Sequence, residues 1–188
     1  MRQVLAQRLW RSASCSLRNI HCIAAASTSI KVGDKLPPVE VHEGDPHCLV
    51  NIAEVFQGKK GILFGVPGAY TPACNKSHLP SYVENYEALK KGVEIIVCIA
   101  VNDAFVMSAW GSAQKVAGKV RMFTDPTGTF TRAVGLELDK EPLITALGNK
   151  RCKRFVLVLD NGVVKELKVE EDGTGLSCSL ASHAMKLV

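Results

Sequence analysis

The run KGILFGVPGAYTPACNKSHLP, residues 60–80, decides how this chain folds. Residues 60–66 are apolar after Lys60 and stop at Pro67, the pattern of a short buried strand. Pro67, Gly68 and Pro72 then hold the chain open in a loop. A helix start follows. Thr71 is a candidate N-cap whose hydroxyl oxygen can accept an amide from Ala73 or Cys74, and Pro72 falls at the first helical position, where its missing amide costs nothing. Cys74 therefore lies in the first turn, beside unsatisfied amides and the positive end of the helix dipole. Such a place suits a thiolate, whereas an ordinary thiol is only roughly 3% ionised at neutral pH. A lone cysteine is also a common small core residue, and on this stretch alone both readings stand.

Working outward, the helix opened by Thr71 is expected to bend at Pro80, which lacks an amide and crowds the carbonyl of Lys76. It resumes through Tyr82, Val83, Tyr86 and Leu89 and closes near Gly92. Residues 93–101, VEIIVCIAV, read as a central strand with Cys98 as core. Asn102 or Asp103 can cap a second helix with Val106, Ala109, Trp110, Ala113 and Val116 on one face and Gly118 at its end. Residues 120–123 form a third strand and residues 126–134 a short helix. Residues 155–159 are a strand that turns at Asp160, Asn161 and Gly162 into residues 163–169. Residues 31–59, punctuated by glycine and proline, read as short extended pieces and turns. Parallel strands crossing through helices and ending in an antiparallel hairpin describe an α/β fold, a thioredoxin-like sandwich with a mixed central sheet flanked by helices. A single domain over residues 31–188 is expected.

The formal charge of +5 is concentrated at the start of the 188-residue chain. Residues 1–30 hold Arg2, Arg8, Arg11 and Arg18 and no acid, so only +1 remains on the rest. This segment is rich in Arg, Ser and Ala, with Leu5, Leu9 and Trp10 spaced for one helical face, the features of a mitochondrial transit peptide. A mitochondrial location is expected, and a cytoplasmic fraction beside it. No apolar run is long enough to span a membrane. A near-neutral body with one short basic cluster also argues against nucleic acid as a partner. The seven cysteines show no C-x-x-C and no regular spacing, so neither a disulfide framework nor a zinc ribbon is indicated.

The spacing Thr71-x-x-Cys74 puts a hydroxyl where a dithiol motif would have its first sulfur. That favours chemistry on a small oxygen-containing substrate over dithiol exchange. His78, four residues after Cys74, shares its helical face. It is read as packing or capping rather than as a zinc ligand, for which no second ligand pair exists, or as an acyl-transfer base. Arg154 begins a buried strand, where an unpaired guanidinium is costly and needs an anion. A thiolate at Cys74 would serve. Cys178, in the turn-rich DGTGLSCSLA, reads as an exposed thiol able to take part in a reaction.

Together PGAYTPACNKSHLP, VNDAFVMSAWG, DPTGTF, KRFVLVLDNGVV and DGTGLSCSLA resemble the type V, atypical two-cysteine peroxiredoxins of animals, in their mitochondrial form, over residues 30–181. The resemblance implies a thioredoxin-fold peroxidase that reduces hydrogen peroxide, alkyl hydroperoxides and peroxynitrite. It implies that Cys74 is the peroxidatic cysteine passing through a sulfenic acid, Cys178 the resolving cysteine that closes a disulfide with it, and Thr71, Arg154 and Pro67 the supporting pocket. It further implies thioredoxin as reductant, a monomer or weak homodimer, and no metal or cofactor. Two features depart from that pattern. Animal members often end in a peroxisomal tripeptide of the Ser-Gln-Leu kind, whereas this chain ends Met185-Lys186-Leu187-Val188, so peroxisomal import by that route is not expected. Cys152 is not part of the pattern. Flanked by Lys150, Arg151, Lys153 and Arg154, it is expected to have a low pKa and to compete with Cys178 as resolving thiol. The alternative to an enzyme is a redox-inactive thioredoxin-like binding module or holdase.

Overall fold

A computed structural model describes residues 29–188; the transit peptide expected over residues 1–30 lies almost wholly outside them. The first pieces are a hairpin of β1 (Glu40–Glu43) and β2 (Asp45–Asn51), then one helical turn, α1 (Ile52–Val55), capped by the Asn51 side chain. The strand β3 (Lys60–Val66) has the bounds its apolar pattern predicts. The helix that follows starts at Pro72 and runs with π geometry over Cys74–His78. It continues as α2 (Leu79–Glu84) and α3 (Tyr86–Leu89).

Pro80 explains the wide turn. Its missing amide leaves a gap in the α-type ladder, and the Leu79 amide instead reaches back five residues to the Cys74 carbonyl. The irregularity therefore sits on Cys74 itself and not at a bend beyond it.

β4 (Ile95–Ala100) leads to α4 (Ala104–Ala113), whose N-cap is Asp103, accepting the Val106 amide at 2.9 Å. The buried face of α4 is Ala104, Met107, Trp110 and Gly111. Ala109 and Ala113 are exposed, so the predicted face is rotated, and the helix ends before Gly118. After β5 (Arg121–Thr124) come α5 (Thr129–Ala133), β6 (Glu137–Leu138), α6 (Glu141–Leu147) and β7 (Arg151–Cys152). β8 (Phe155–Asp160) and β9 (Val163–Val169) form the final hairpin, and α7 (Ala181–Ala184) closes the chain. Asn161 and Gly162 both take positive φ, 51° and 73°, as a two-residue hairpin turn requires.

The main sheet runs β2-β1-β5-β4-β3-β8-β9. β3, β4 and β5 are parallel, while β8 pairs antiparallel with β3 and β9 with β8. Alternation along the central strands divides the core in two. Ile62, Phe64, Val66, Cys98 and Val156 pack with Cys74, Tyr82 and Trp110 on one face. Leu63, Val97, Phe123 and Leu157 pack with Phe56, Phe130 and Cys152 on the other. The carboxyl ends of β3 and β4 thus deliver both the Pro67 loop and Asn102 to one edge, where Cys74 waits.

Gly65 in β3 has no room for a side chain, because a Cβ there would strike the fully buried Phe155 ring. Gly65→Ala is expected to cost about 1–3 kcal/mol through overpacking, seen in urea unfolding as a lower midpoint with an unchanged slope.

Candidate active site

The loop between β3 and the Cys74 helix is tied down by its own residues. Ala69 donates its amide to Asn102 Oδ1 at 3.0 Å, and Tyr70, φ 60°, carries the chain through a left-handed turn. A bulky residue in that region is strained, and such strain persists only where the surroundings enforce it. Pro67 and Gly68 are buried at the end of β3. Thr71 does not cap as predicted. Its hydroxyl donates to the Gly68 carbonyl at 2.9 Å, and its own carbonyl accepts from the Asn75 amide at 2.8 Å. The donated proton leaves lone pairs on Thr71 Oγ1 as acceptors for an incoming O–H.

Cys74 is fully buried, and Arg154 is 1% exposed. Arg154 Nη1 lies 3.3 Å from Cys74 Sγ and 3.0 Å from His78 Nδ1, while its Nε donates to the Thr174 carbonyl at 3.1 Å. Among the described residues no carboxylate forms an ion pair with Arg154. Where an anion was expected beside this cation, the structure places the Cys74 sulfur.

His78 is a participant that its sequence position did not reveal. Its Nε2 is 2.9 Å from the Ser179 carbonyl, which can only accept, and its Nδ1 faces a guanidinium, which can only donate. The ring must be the neutral Nε2–H tautomer. Burial, then the Arg154 charge, lower its pKa from 6.5 to about 3. Phe64 and Tyr82 brace it edge-on at 5.2 and 5.6 Å between ring centroids. Tyr82 also donates to the Ser179 carbonyl, at 2.7 Å.

Cys178, half-buried and reduced, sits beside this carbonyl. Burial, then the neighbouring Glu170 charge, push its thiol up, so it rests protonated. Glu170, 2% exposed, accepts the Cys178 amide at 2.9 Å. Burial works to raise the Glu170 carboxyl, but hydrogen bonds from Ser177, Ser179 and Cys178 outweigh it and bring it from 4.5 down to about 2. Glu170 was not legible as a site residue. The signal for it is the pair of serines flanking Cys178, whose donors need a shared acceptor.

Cys152 does not behave as expected. It is fully buried in the core on the sheet face opposite Cys74, and burial pushes its thiol up, with a Thr131 contact offsetting only part of the effect. The cations beside it in sequence do not govern it, because burial is the largest influence on its thiol and the nearby Lys153 charge offsets only part of it. It is a core residue. Among the described residues no group of three or more His, Cys, Asp or Glu could hold a metal ion.

A family model described as Redoxin matches residues 31–182. Peroxiredoxin-2E, chloroplastic, of Arabidopsis thaliana is 40% identical over 171 residues, covering 88% of this chain and 72% of that protein. The chain belongs to the peroxiredoxins of the Redoxin family. This peroxiredoxin superposes on reduced Prx3 of Vibrio vulnificus, solved in complex with hydrogen peroxide, with a TM-score of 0.77 at 39% identity, covering 85% of this chain and 99% of that one. Peroxiredoxin 5 of Alvinella pompejana gives a TM-score of 0.70 at 44% identity, covering 77% and 92%. The thioredoxin-like fold read from the order of elements is therefore the fold of its family, and the chain is a thiol peroxidase.

The neutral His78 has a consequence for stability. The unfolded chain takes up a proton at this residue below pH 6.5, whereas the folded chain resists it down to about pH 3. Stability is thus expected to fall as pH drops through this window, by up to about 1.4 kcal/mol per pH unit. Glu170, whose folded pKa is depressed, adds a further loss between about pH 4.5 and 2. Urea titrations across pH should show the slope between pH 6.5 and 4.5 flattened in His78→Asn, even if that variant is less stable throughout.

Proposed function

We propose that this peroxiredoxin is of the type V, atypical two-cysteine kind, reducing hydrogen peroxide, alkyl hydroperoxides and peroxynitrite with electrons from thioredoxin. One observation carries the reading: a fully buried sulfur, Cys74 Sγ, has a buried guanidinium, Arg154 Nη1, at 3.3 Å. The Cys74 thiolate attacks one peroxide oxygen. That S–O bond forms as the O–O bond breaks, and the leaving oxygen departs as alcohol or water after taking up a proton, or within nitrite when the substrate is peroxynitrite. Arg154 stabilises the negative charge as it passes from sulfur to the leaving oxygen, and Thr71 Oγ1 orients the O–O unit. Pro67, with no amide, shields the sulfur without competing for hydrogen bonds. Cys74 is left as a sulfenic acid. The Cys178 thiol condenses with it, a disulfide forms, and water leaves. An external dithiol then reduces the disulfide.

The mature enzyme is proposed to act in mitochondria as a monomer or weak homodimer, residues 1–30 serving as the import signal. The peroxide-bound relative from Vibrio vulnificus supports hydrogen peroxide as a substrate, and the likeness to peroxiredoxin 5 of Alvinella pompejana supports the type V reading.

Peroxide consumption coupled to thioredoxin and its reductase tests this. Cys74→Ser should be inactive, and undiminished turnover would reject the mechanism. Cys178→Ser should react once with peroxide, form a sulfenic acid detectable with a dimedone-type probe, and turn over poorly. Arg154→Gln should slow the first oxidation by roughly 10²-fold or more, measured by single-turnover mixing.

A further inference from the structure

Glu170 has a role beyond the pocket around Cys74. Its amide donates to the Arg154 carbonyl at 3.0 Å, so it belongs to the same rigid strand end that places the guanidinium. Its carboxylate takes five hydrogen bonds from three consecutive residues. Oε2 accepts from the Ser177 amide at 2.9 Å and hydroxyl at 2.6 Å, and Oε1 from the Cys178 amide at 2.9 Å and the Ser179 amide and hydroxyl at 3.0 and 2.6 Å. The next carbonyl, that of Ser179, is held by His78 and Tyr82. The backbone around Cys178 is thus fixed on two sides by buried groups, while its thiol is half-buried, in no disulfide, and in contact with the Ser177 and Glu170 side chains.

The Cys74 side is built differently. Its turn has π geometry, in a helix that begins at Pro72, which has no amide to tie it, and the side chains that tie Asn75 within it are neutral: Trp110 Nε1 and Gln114 Nε2 donate to Asn75 Oδ1, each at 2.8 Å. Hydrogen bonds to a buried carboxylate are stronger than those between neutral groups, and π turns are short, strained interruptions of a helix. When the two sulfurs must come within bonding reach, the Cys74 turn is the weaker partner. Its far end is marked by His78, which with Tyr82 is bound to the Ser179 carbonyl.

We propose that Glu170 is a positioning residue for the resolving step, holding the Cys178 segment stationary so that the Cys74 turn does the travelling. This rests on the two-cysteine reading above. In that step the Cys178 sulfur attacks the sulfenic sulfur, the S–S bond forms as the S–O bond breaks, and the thiol proton leaves with the hydroxyl as water. The thiol is the reductant and the sulfenic acid the oxidant. Slower resolution leaves the sulfenic acid exposed to a second peroxide and to sulfinic acid formation.

The test uses the full-length reduced chain mixed with hydrogen peroxide, quenched, alkylated and resolved by intact mass. In Glu170→Gln the first oxidation of Cys74 should stay within about twofold of wild type, while disulfide formation slows by about tenfold or more, the scale of losing orientation of a reacting group. Sulfinic acid at Cys74 should rise under excess peroxide. Ser177→Ala, which removes one hydroxyl donor to the carboxylate, should lie between the two and serves if Glu170→Gln does not fold. In a Cys178→Ser background, Glu170→Gln should change neither the oxidation rate nor the sulfinic acid yield. A change there would make Glu170 merely structural and overturn the proposal.

Hydrogen exchange on peroxide-treated Cys178→Ser should show the amides of residues 71 and 73–77 losing protection while those of residues 177–179 keep theirs, and the reverse pattern overturns it. Equal disulfide rates in wild type and both Glu170→Gln and Ser177→Ala overturn this inference alone. A wild type that never joins Cys74 to Cys178 overturns it together with the two-cysteine reading.

Discussion

A guanidinium enclosed by protein, with no carboxylate paired to it among the described residues, is the constraint on which the rest of this molecule depends. Taking a cation out of water costs several kcal/mol even after relaxation, and here the compensation comes from a carbonyl, an imidazole nitrogen and a sulfur around Arg154. Each partner reaches the spot by a different route. The Thr174 carbonyl arrives from the loop after β9, His78 and Cys74 from the π turn, and Arg154 from the residue before β8. The imidazole must be neutral, which removes a competing positive charge beside the sulfur. An anionic sulfur would satisfy this arrangement best, and that is what the proposed attack on peroxide calls for.

Local features of the chain specify the scaffold that makes this possible. The bounds of β3 follow from apolar residues stopped by Pro67, and the β8–β9 turn follows from the readiness of Asn161 and Gly162 to take positive φ. Arg154 stood out because a cation leading into FVLVL cannot be left unpaired. Cys74 stood out because Pro72 and Thr71 announce a helix start, although Thr71 spends its hydroxyl on the Gly68 carbonyl instead of an amide.

Other residues were silent for a physical reason, which is that their partners are remote in sequence. The tautomer of His78 is dictated by Ser179, 101 residues away, and no local pattern encodes that. Cys152 shows the converse error. Its sequence neighbours are cations, but its side chain packs into the core on the far face, so burial outweighs the neighbouring charge. The buried face of α4 was misplaced for a related reason. Val116 looks periodic with Trp110, yet it lies beyond the helix end at Ala113 and packs from the following turn.

The same network that prepares Cys74 also reaches Cys178. Arg154 touches Cys74 Sγ and His78 Nδ1, His78 Nε2 reaches the Ser179 carbonyl, and the Ser179 amide lies on Glu170, whose own amide returns to the Arg154 carbonyl. The circuit closes on itself. A group that stabilises negative sulfur is therefore also a strut for the segment bearing the second thiol. In the proposed cycle, conversion of a Cys74 thiolate to a neutral sulfenic acid would remove the charge that best satisfies Arg154 and leave the carboxylate contacts of Glu170 untouched. The interactions that would weaken on oxidation are those of the π turn, and those that would persist hold the Cys178 segment. On that reading chemistry at one sulfur loosens its own support, and the direction of the proposed movement toward the disulfide follows from which charge the first step neutralises.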